Sequence, residues 1–318
     1  MPAYLLKRIL SAIPVLLIVS IVIFLIIHIT PGNPASVILG EEATPEQIAE
    51  LEDSLGLNLP IHQQYINWMS GVLQGDLGNS FFMREPVTTS IADRIVPTFS
   101  LAIFAQIIAL VIAIPIGVLA ANKRGSMTDA TMMIFALLGM SIPSFLLALL
   151  LVLLFGVQLG WLPVAGYRAI SDGLLEHLKY LILPAISLGM IQAALIARMT
   201  RSSMLEVLNM NYIKSARAKG VKNFKLIVKH AFRNALLPIL TVVGQTFGSL
   251  ITGAVVVETV FNIPGIGQLI INSVERRDFA VIQGVILFIT FLYIVLNLII
   301  DILYGIVDPR VRLDRKGD

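Results

Sequence analysis

Six charge-free apolar windows constrain this chain more than any other feature. They run over residues 9–29, 95–121, 130–155, 180–197, 235–257 and 279–300. Each is near or above the ~20 residues that a helix rising 1.5 Å per residue needs to cross a bilayer. With 57% hydrophobic and only 14% charged residues, the chain cannot bury its apolar surface in one aqueous core. Inside hydrocarbon every backbone N–H and C=O must be paired internally, which favours helices for windows of this length. The reading is an all-α polytopic membrane protein with six transmembrane helices.

Lys7 and Arg8 precede the first window, as they would in a signal peptide. The apolar run is too long for that, however, and ends in Ile29-Thr30-Pro31-Gly32 with no small-residue cleavage site, so a retained first helix is expected. The absence of cysteine removes disulfides, thiol nucleophiles and thiolate metal sites. If the N-terminus is cytoplasmic and six spans alternate, Arg84, Arg94, Arg168, Lys179, Arg276 and Arg277 fall outside. The other 17 of the 23 basic residues fall inside. That split follows the positive-inside tendency and predicts that both termini are cytoplasmic. The basic pI of 9.2 then reflects an inner face attracted to anionic membrane lipid, with no nucleic-acid partner.

The one sizeable aqueous piece is residues 31–94. Thr44, Pro45 and Gln47 have the spacing of a capped helix start, and Glu46, Glu50, Glu52 and Asp53 make that helix acidic. Tyr65 and Trp68 read either as anchors at headgroup level or as part of a docking surface for an external substrate-delivering protein. Prolines at 14, 115, 143, 184 and 238 punctuate the spans. Gly244 and Gly248, with Gly253 beyond them, give the fifth span a small-residue face, for close helix packing, for a translocation path or for a subunit interface.

Several chemistries are missing. There is no G-x-x-x-x-G-K-[ST] phosphate loop, no H-E-x-x-H and no G-x-S-x-G, and the four histidines are scattered. No catalytic residue, cofactor site or metal site is expected. Glu258 and Asp301 sit near span ends and are read as groups that reach water. An ion-coupled transporter needs ionisable groups near the midplane; this chain lacks them, so any transport would have to draw its energy from elsewhere.

The stretch after the fourth span is unusual for a short inner loop. Leu205, Leu208, Tyr212 and Ala216 recur at helical spacing, which predicts an amphipathic helix through 205–220 with Lys214 and Arg217 off its apolar face. Ala216, Ala218 and Gly220 keep its end slim enough for a groove on a partner, and Gly220 suits a left-handed helix terminus. A second basic segment, Lys222 to Arg233, is expected to lead to Pro238 at the start of the fifth span. On charge alone this would be an ordinary positive inner loop.

The residues themselves carry more. Tyr212-Ile213-Lys214-Ser215-Ala216-Arg217-Ala218-Lys219-Gly220, with Ala235-Leu236-Leu237-Pro238 downstream, resembles the cytoplasmic coupling motif of ABC importer permeases, specifically the dipeptide, oligopeptide and nickel branch. The wider group shows E-A-A, a glycine and then L-P; here Ser215 stands where an acidic residue is often found, and the interval to Pro238 is long. Tyr4-Leu5-Leu6-Lys7-Arg8 is similar to that family's start, and Gly75-Asp76-Leu77-Gly78-Asn79-Ser80, followed by Pro86-Val87, Arg94 and Pro97-Thr98, to its external loop. Glu258-Thr259-Val260-Phe261-Asn262-Ile263-Pro264-Gly265-Ile266-Gly267 resembles its signature after the fifth span. Arg277-Asp278 with Gln283-Gly284, and Asp308-Pro309-Arg310, match as well.

The resemblance implies the fold of a type I ABC importer permease in a bacterial inner membrane, without enzymatic activity of its own. It divides the chain into residues 1–30 (first span), 31–94 (extracytoplasmic region), 95–306 (core, with a coupling loop at about 201–234) and 307–318 (cytoplasmic tail). The implied partners are a homologous second permease, two ATPase subunits, an extracytoplasmic solute-binding protein and a peptide substrate. Tyr212, Ala216, Arg217, Ala218, Lys219, Gly220 and Pro238 would couple to the ATPase. Glu258, Phe261, Pro264, Gly265 and Gly267 are candidates for an outer gate or signature, and Gly75, Asp76 and Gly78 for contact with the binding protein. Nickel chelate or glutathione are alternative cargoes, and a self-contained secondary transporter is the alternative machinery.

Overall fold

The computed structural model describes residues 2–29, 34–40 and 43–307. Its helices are α1 (Pro2–Ile29), α2 (Pro34–Leu39), α3 (Pro45–Ser54), α4 (Ile61–Leu73), α5 (Val87–Asn122), α6 (Met127–Ser141) and α7 (Ser144–Leu151), the last continued by a π-helical turn to Gln158. There follow α8 (Leu174–Leu208), α9 (Asn211–Ala218), the single turn α10 (Asn223–Lys225), a π-helical segment Leu226–Phe232, then α11 (Arg233–Val260), α12 (Ile266–Glu275) and α13 (Phe279–Val307). Among the described residues five helical stretches are long and apolar enough to cross a membrane: Leu10–Ile29, Val87–Asn122, Leu174–Leu208, Asn223–Val260 and Phe279–Ile300.

The third expected span is the sixth candidate, and it is broken. Ser126 caps α6 by accepting from the Asp129 amide. The helix stops at Ser141 because Pro143 forces Ile142 out of the helical region, to φ −88° and ψ 120°. Pro143 then precedes α7, and the two arms meet at 98°.

Two expectations about boundaries need correction. The predicted helix over 205–220 is two helices, because Asn209 closes α8 and Met210 is extended at φ −68°, ψ 149°. Lys222 to Arg233 is not a loop either: α10, the π segment and α11 form one helical stretch, so Pro238 lies inside α11 rather than at its start. A proline there removes one intrahelical N–H donor, which a membrane helix tolerates. The Thr30-Pro31-Gly32 stop and Asp308-Pro309-Arg310 lie outside the described residues, as does the Asp301 side chain.

The chain divides into two compact units. The first comprises residues 1–95 and 269–295. In it the Thr44 capping box forms as the sequence predicts: the Thr44 hydroxyl accepts from the Gln47 amide, and the Gln47 side chain accepts from the Thr44 amide. The Glu46 carboxyl is held below its usual range by its own backbone amide and then by Thr44. Tyr65 and Trp68 of α4 pack on Phe24 of α1 at centroid distances of 5.3 and 5.8 Å. Tyr65 also shares a 2.8 Å hydrogen bond with Ser20. These rings therefore serve first to seat α4 on α1. Ser80, before α5, donates to Asp278 at 2.6 Å in a buried contact, and Gly284 of α13 lies so close to Val87 that a Cβ would overlap its side chain.

The second unit comprises residues 96–268 and 296–318, and small residues set its helix spacing. Ala109 and Ala113 of α5 are buried in one cluster with Ala193, Ile196 and Ala197 of α8 and Ala235 and Ile239 of α11. A Cβ on Gly189 would sit 2.7 Å from the Ala105 carbonyl oxygen, while one on Gly253 meets nothing within 4 Å. Without a hydrophobic drive between helices in lipid, such close backbone approach is a main source of association energy. Gly189→Ala is expected to destabilise the bundle by about 1–3 kcal/mol, because a backbone carbonyl cannot step aside. Heating both variants in mild detergent and scoring the monodisperse fraction should show a lowered midpoint for Gly189→Ala and an unchanged one for Gly253→Ala.

Candidate functional site

The basic segment after α8 is a small exposed platform on a buried pin. Ile213 is 1% exposed and belongs to a cluster containing Met204 and Val207 of α8, Leu226, Ile227 and Ala231 of the π segment, and Ala235 of α11. Tyr212, beside it, is half-exposed, and its hydroxyl accepts from Asn234 Nδ2 at 2.9 Å. Lys214, Arg217, Ala218, Lys219 and Gly220 are exposed, and Ala216 packs partly against the cluster.

The end of α9 is closed by a paired turn. The Gly220 amide donates to the Arg217 carbonyl at 3.0 Å and the Val221 amide to the Ala216 carbonyl at 3.2 Å. This Schellman arrangement requires a left-handed residue, and Gly220 has φ +77°. A Cβ on Gly220 would meet nothing within 4 Å, so the glycine is there for its backbone and not for lack of room. Phe224 and Val228 add exposed apolar surface among Lys222, Lys225, Lys229 and Arg233. Pro238, further along α11, is only partly exposed.

Glu258 is a correction. It has no exposed surface and does not reach water. Its Oε1 accepts from the Thr98 hydroxyl at 2.6 Å, and its Oε2 accepts from the amides of Gly267 and Gln268 at 2.8 and 3.1 Å. Thr98 in turn accepts from the Ile266 amide at 2.8 Å. The chain reverses after α11, with Asn262 at φ +50°, so the orphan amides at the start of α12 come down on the carboxylate. A negative group there satisfies those donors and the helix dipole together. Gly265 and Gly267 leave space for it, since a Cβ on either would overlap the Glu258 side chain. Phe261 is buried, its carbonyl accepts from the Gly166 amide at 2.7 Å, and Pro264 is exposed.

In the other unit, Asp76 Oδ1 accepts from the Gly78 amide at 2.8 Å, and Gly75 and Gly78 both have positive φ. The three residues form one turn, with Gly75 and Asp76 exposed.

Two features of the second unit are not apparent in the sequence. Asp129 is 5% exposed and accepts from Arg201 Nε and Nη2 at 2.6 and 2.7 Å, which ties the start of α6 to α8. A groove of about 500 Å³ also opens between α8 and α11, lined by Gln192, Arg198, Ser202, Gln245, Thr246 and Ser249 among others. It runs beside the small-residue face, whose Gly244 packs on Ile300 and whose Gly248 is buried. The lining could have been found only by knowing which faces of two distant segments meet.

Residues 113–313 match the family profile of binding-protein-dependent transport system inner membrane components, and residues 1–102 match the corresponding N-terminal profile. The chain is 44% identical to a dipeptide transport system permease protein of Alkalihalophilus pseudofirmus, over 98% of this chain and all of the relative. It is 42% identical to a glutathione transport system permease protein of Salmonella choleraesuis, over 97% of this chain and 98% of the relative. A Brucella abortus chain with the provisional name peptide transport system permease protein is 47% identical, over 99% of this chain and all of the relative. Among solved structures, the inward-facing MetNI methionine ABC transporter superposes with a TM-score of 0.58 at 19% identity, covering 69% of this chain and 96% of that one.

Glu258→Ala leaves one hydroxyl and two helix-terminal amides without their acceptor, a loss of roughly 3 kcal/mol or more. Thermal denaturation in detergent should show a large drop for Glu258→Ala and a smaller one for Glu258→Gln, which keeps one acceptor. Equal stability of all three proteins would remove the carboxylate from this structural role.

Proposed function

We propose a function from one premise: the chain belongs to the family of binding-protein-dependent transport system inner membrane components. It is a multi-pass inner-membrane permease with the fold of an ABC importer, in the branch whose named members are peptide, dipeptide and glutathione permeases. Beyond that, the proposed cargo is a di- or oligopeptide. The chain pairs with a homologous permease, receives cargo from an extracytoplasmic binding protein and draws energy from two ATPase subunits. Glutathione, itself a tripeptide, is the second reading, supported by the name of one close relative.

The observation that carries the coupling role is the seating of α9. An exposed basic platform stands on Ile213, whose neighbours are the end of α8 and the start of the α11 stretch. A force on α9 therefore reaches both helices that flank the groove. ATP-driven closure of the ATPases would bind one position of α9 more tightly than another and shift the bundle between inward- and outward-facing arrangements. The Glu258 turn and its neighbours Phe261, Pro264, Gly265 and Gly267 would form the fixed outer closure, and the Gly75-Asp76-Gly78 turn would face the binding protein. Both termini are proposed to be cytoplasmic.

Two measurements follow. Gly220→Arg, which adds strain, bulk and charge at the platform, should abolish substrate-stimulated ATP hydrolysis, while Gly220→Asn, a residue tolerant of left-handed φ, should retain most of it. Normal stimulation in Gly220→Arg would reject the docking assignment. An epitope placed after Lys316 should be reachable by antibody only in permeabilised cells, and labelling of intact spheroplasts would overturn the orientation.

A further inference from the structure

The groove between α8 and α11 contains a cation in otherwise neutral surroundings. Gln192, Ser202, Gln245, Thr246 and Ser249 supply amides and hydroxyls, and Arg198 is the charged side chain that lines it. Arg201, one turn on, is held by both oxygens of Asp129. Arg198 is exposed, and among the described residues no ion pair involves it. Its Cα lies about 15 Å along α8 from that of Leu208, directly after the apolar window 180–197, so it stands at the inner end of the span and apart from the basic platform. An exposed guanidinium with no ion-pair partner among the described residues, set beside a polar groove, is free to meet an anionic ligand.

The groove is large enough for a small ligand, within the ~300–1,000 Å³ of ordinary binding sites. A planar guanidinium presents paired donors that match a carboxylate, and the amides and hydroxyls around it can satisfy the backbone of an extended peptide without reading its side chains. One further donor stands behind this wall: Gln106 is 7% exposed, its Oε1 lies 3.4 Å from the Thr246 hydroxyl, and its Nε2 has no partner among the described residues. We propose that this groove is the passage for cargo and that Arg198 holds the free carboxylate of the passing peptide, so that the permease itself discriminates for a carboxylate in addition to any selection by the binding protein.

The inference rests on the peptide-importer reading, and the test separates the two. The chain has no cysteine, so Arg198→Cys gives its single thiol in the fully assembled transporter reconstituted in vesicles. ATP-dependent uptake of a dipeptide by the unmodified transporter is the control; its failure would reject the importer reading itself. With that control in place, Arg198→Cys is expected to lower uptake about tenfold. Aminoethyl methanethiosulfonate, which restores a cation, should recover at least half of the lost uptake, and neutral methyl methanethiosulfonate should recover none. The dipeptide should slow aminoethylation of Arg198→Cys at least threefold, and its C-terminal amide should not. Recovery by the neutral reagent, no recovery by the cationic one, equal protection by acid and amide, or protection by neither would each overturn the proposal. So would loss of the Arg198→Cys defect in purely zwitterionic lipid, which would assign Arg198 to a headgroup phosphate instead.

Discussion

The Glu258 carboxylate, with no surface exposed to solvent, joins three elements of the second unit. Thr98 on α5, Glu258 near the end of α11 and the first amides of α12 share one set of short hydrogen bonds. In a low-dielectric interior an unpaired carboxylate would be very costly, so this arrangement is close to all-or-none. It explains the local sequence in physical terms. Gly265 and Gly267 are small because the carboxylate occupies the space, Asn262 tolerates the left-handed turn, and Thr98 both donates to the carboxylate and accepts from Ile266. The first unit has a parallel device in Ser80 and Asp278, where a buried carboxylate again meets the start of a helix.

Beyond the Glu258 turn the second unit is assembled with little side-chain volume. Alanines and glycines let α5, α8 and α11 approach closely, and the polar side chains beside them face a groove instead of a core. The same α8 and α11 receive Ile213 at one end. The α9 segment is exposed on one side and packed against both helices on the other, the form that the proposed coupling role requires. The Asp129–Arg201 clamp adds a third helix, because a bidentate pair fixes the start of α6 in orientation as well as in distance.

Hydropathy, capping and turn signals are legible in this sequence, whereas helix breaks and long-range partners are not. The six apolar windows correspond to five long helices and one broken pair, and the capping box at Thr44 and the left-handed Gly220 form where their neighbours dictate. Pro143 reads in the sequence as one of five prolines punctuating the spans, and neither the full break nor the 98° between its two arms follows from that. The expected 205–220 helix failed because Leu205, Leu208 and Tyr212 keep helical spacing across a break that Asn209 and Met210 impose by backbone conformation alone. Glu258 looked like a helix-end group because its partner Thr98 lies 160 residues away. In the sequence Arg198 is one of the inner basic residues and nothing more, because its place in a groove depends on which face of α11 it meets.

In the proposed mechanism α9 and Gly220 form the surface through which an ATPase drives the bundle. Lys219→Cys places the only thiol of this chain on that exposed end. A short thiol-directed photo-crosslinker, activated in native membranes and followed by mass spectrometry of the adduct, reads the contact directly. The expected result is a covalent product with an ATPase subunit that carries a phosphate-binding loop. Adducts formed only with lipid, or with proteins that lack such a loop, would contradict it.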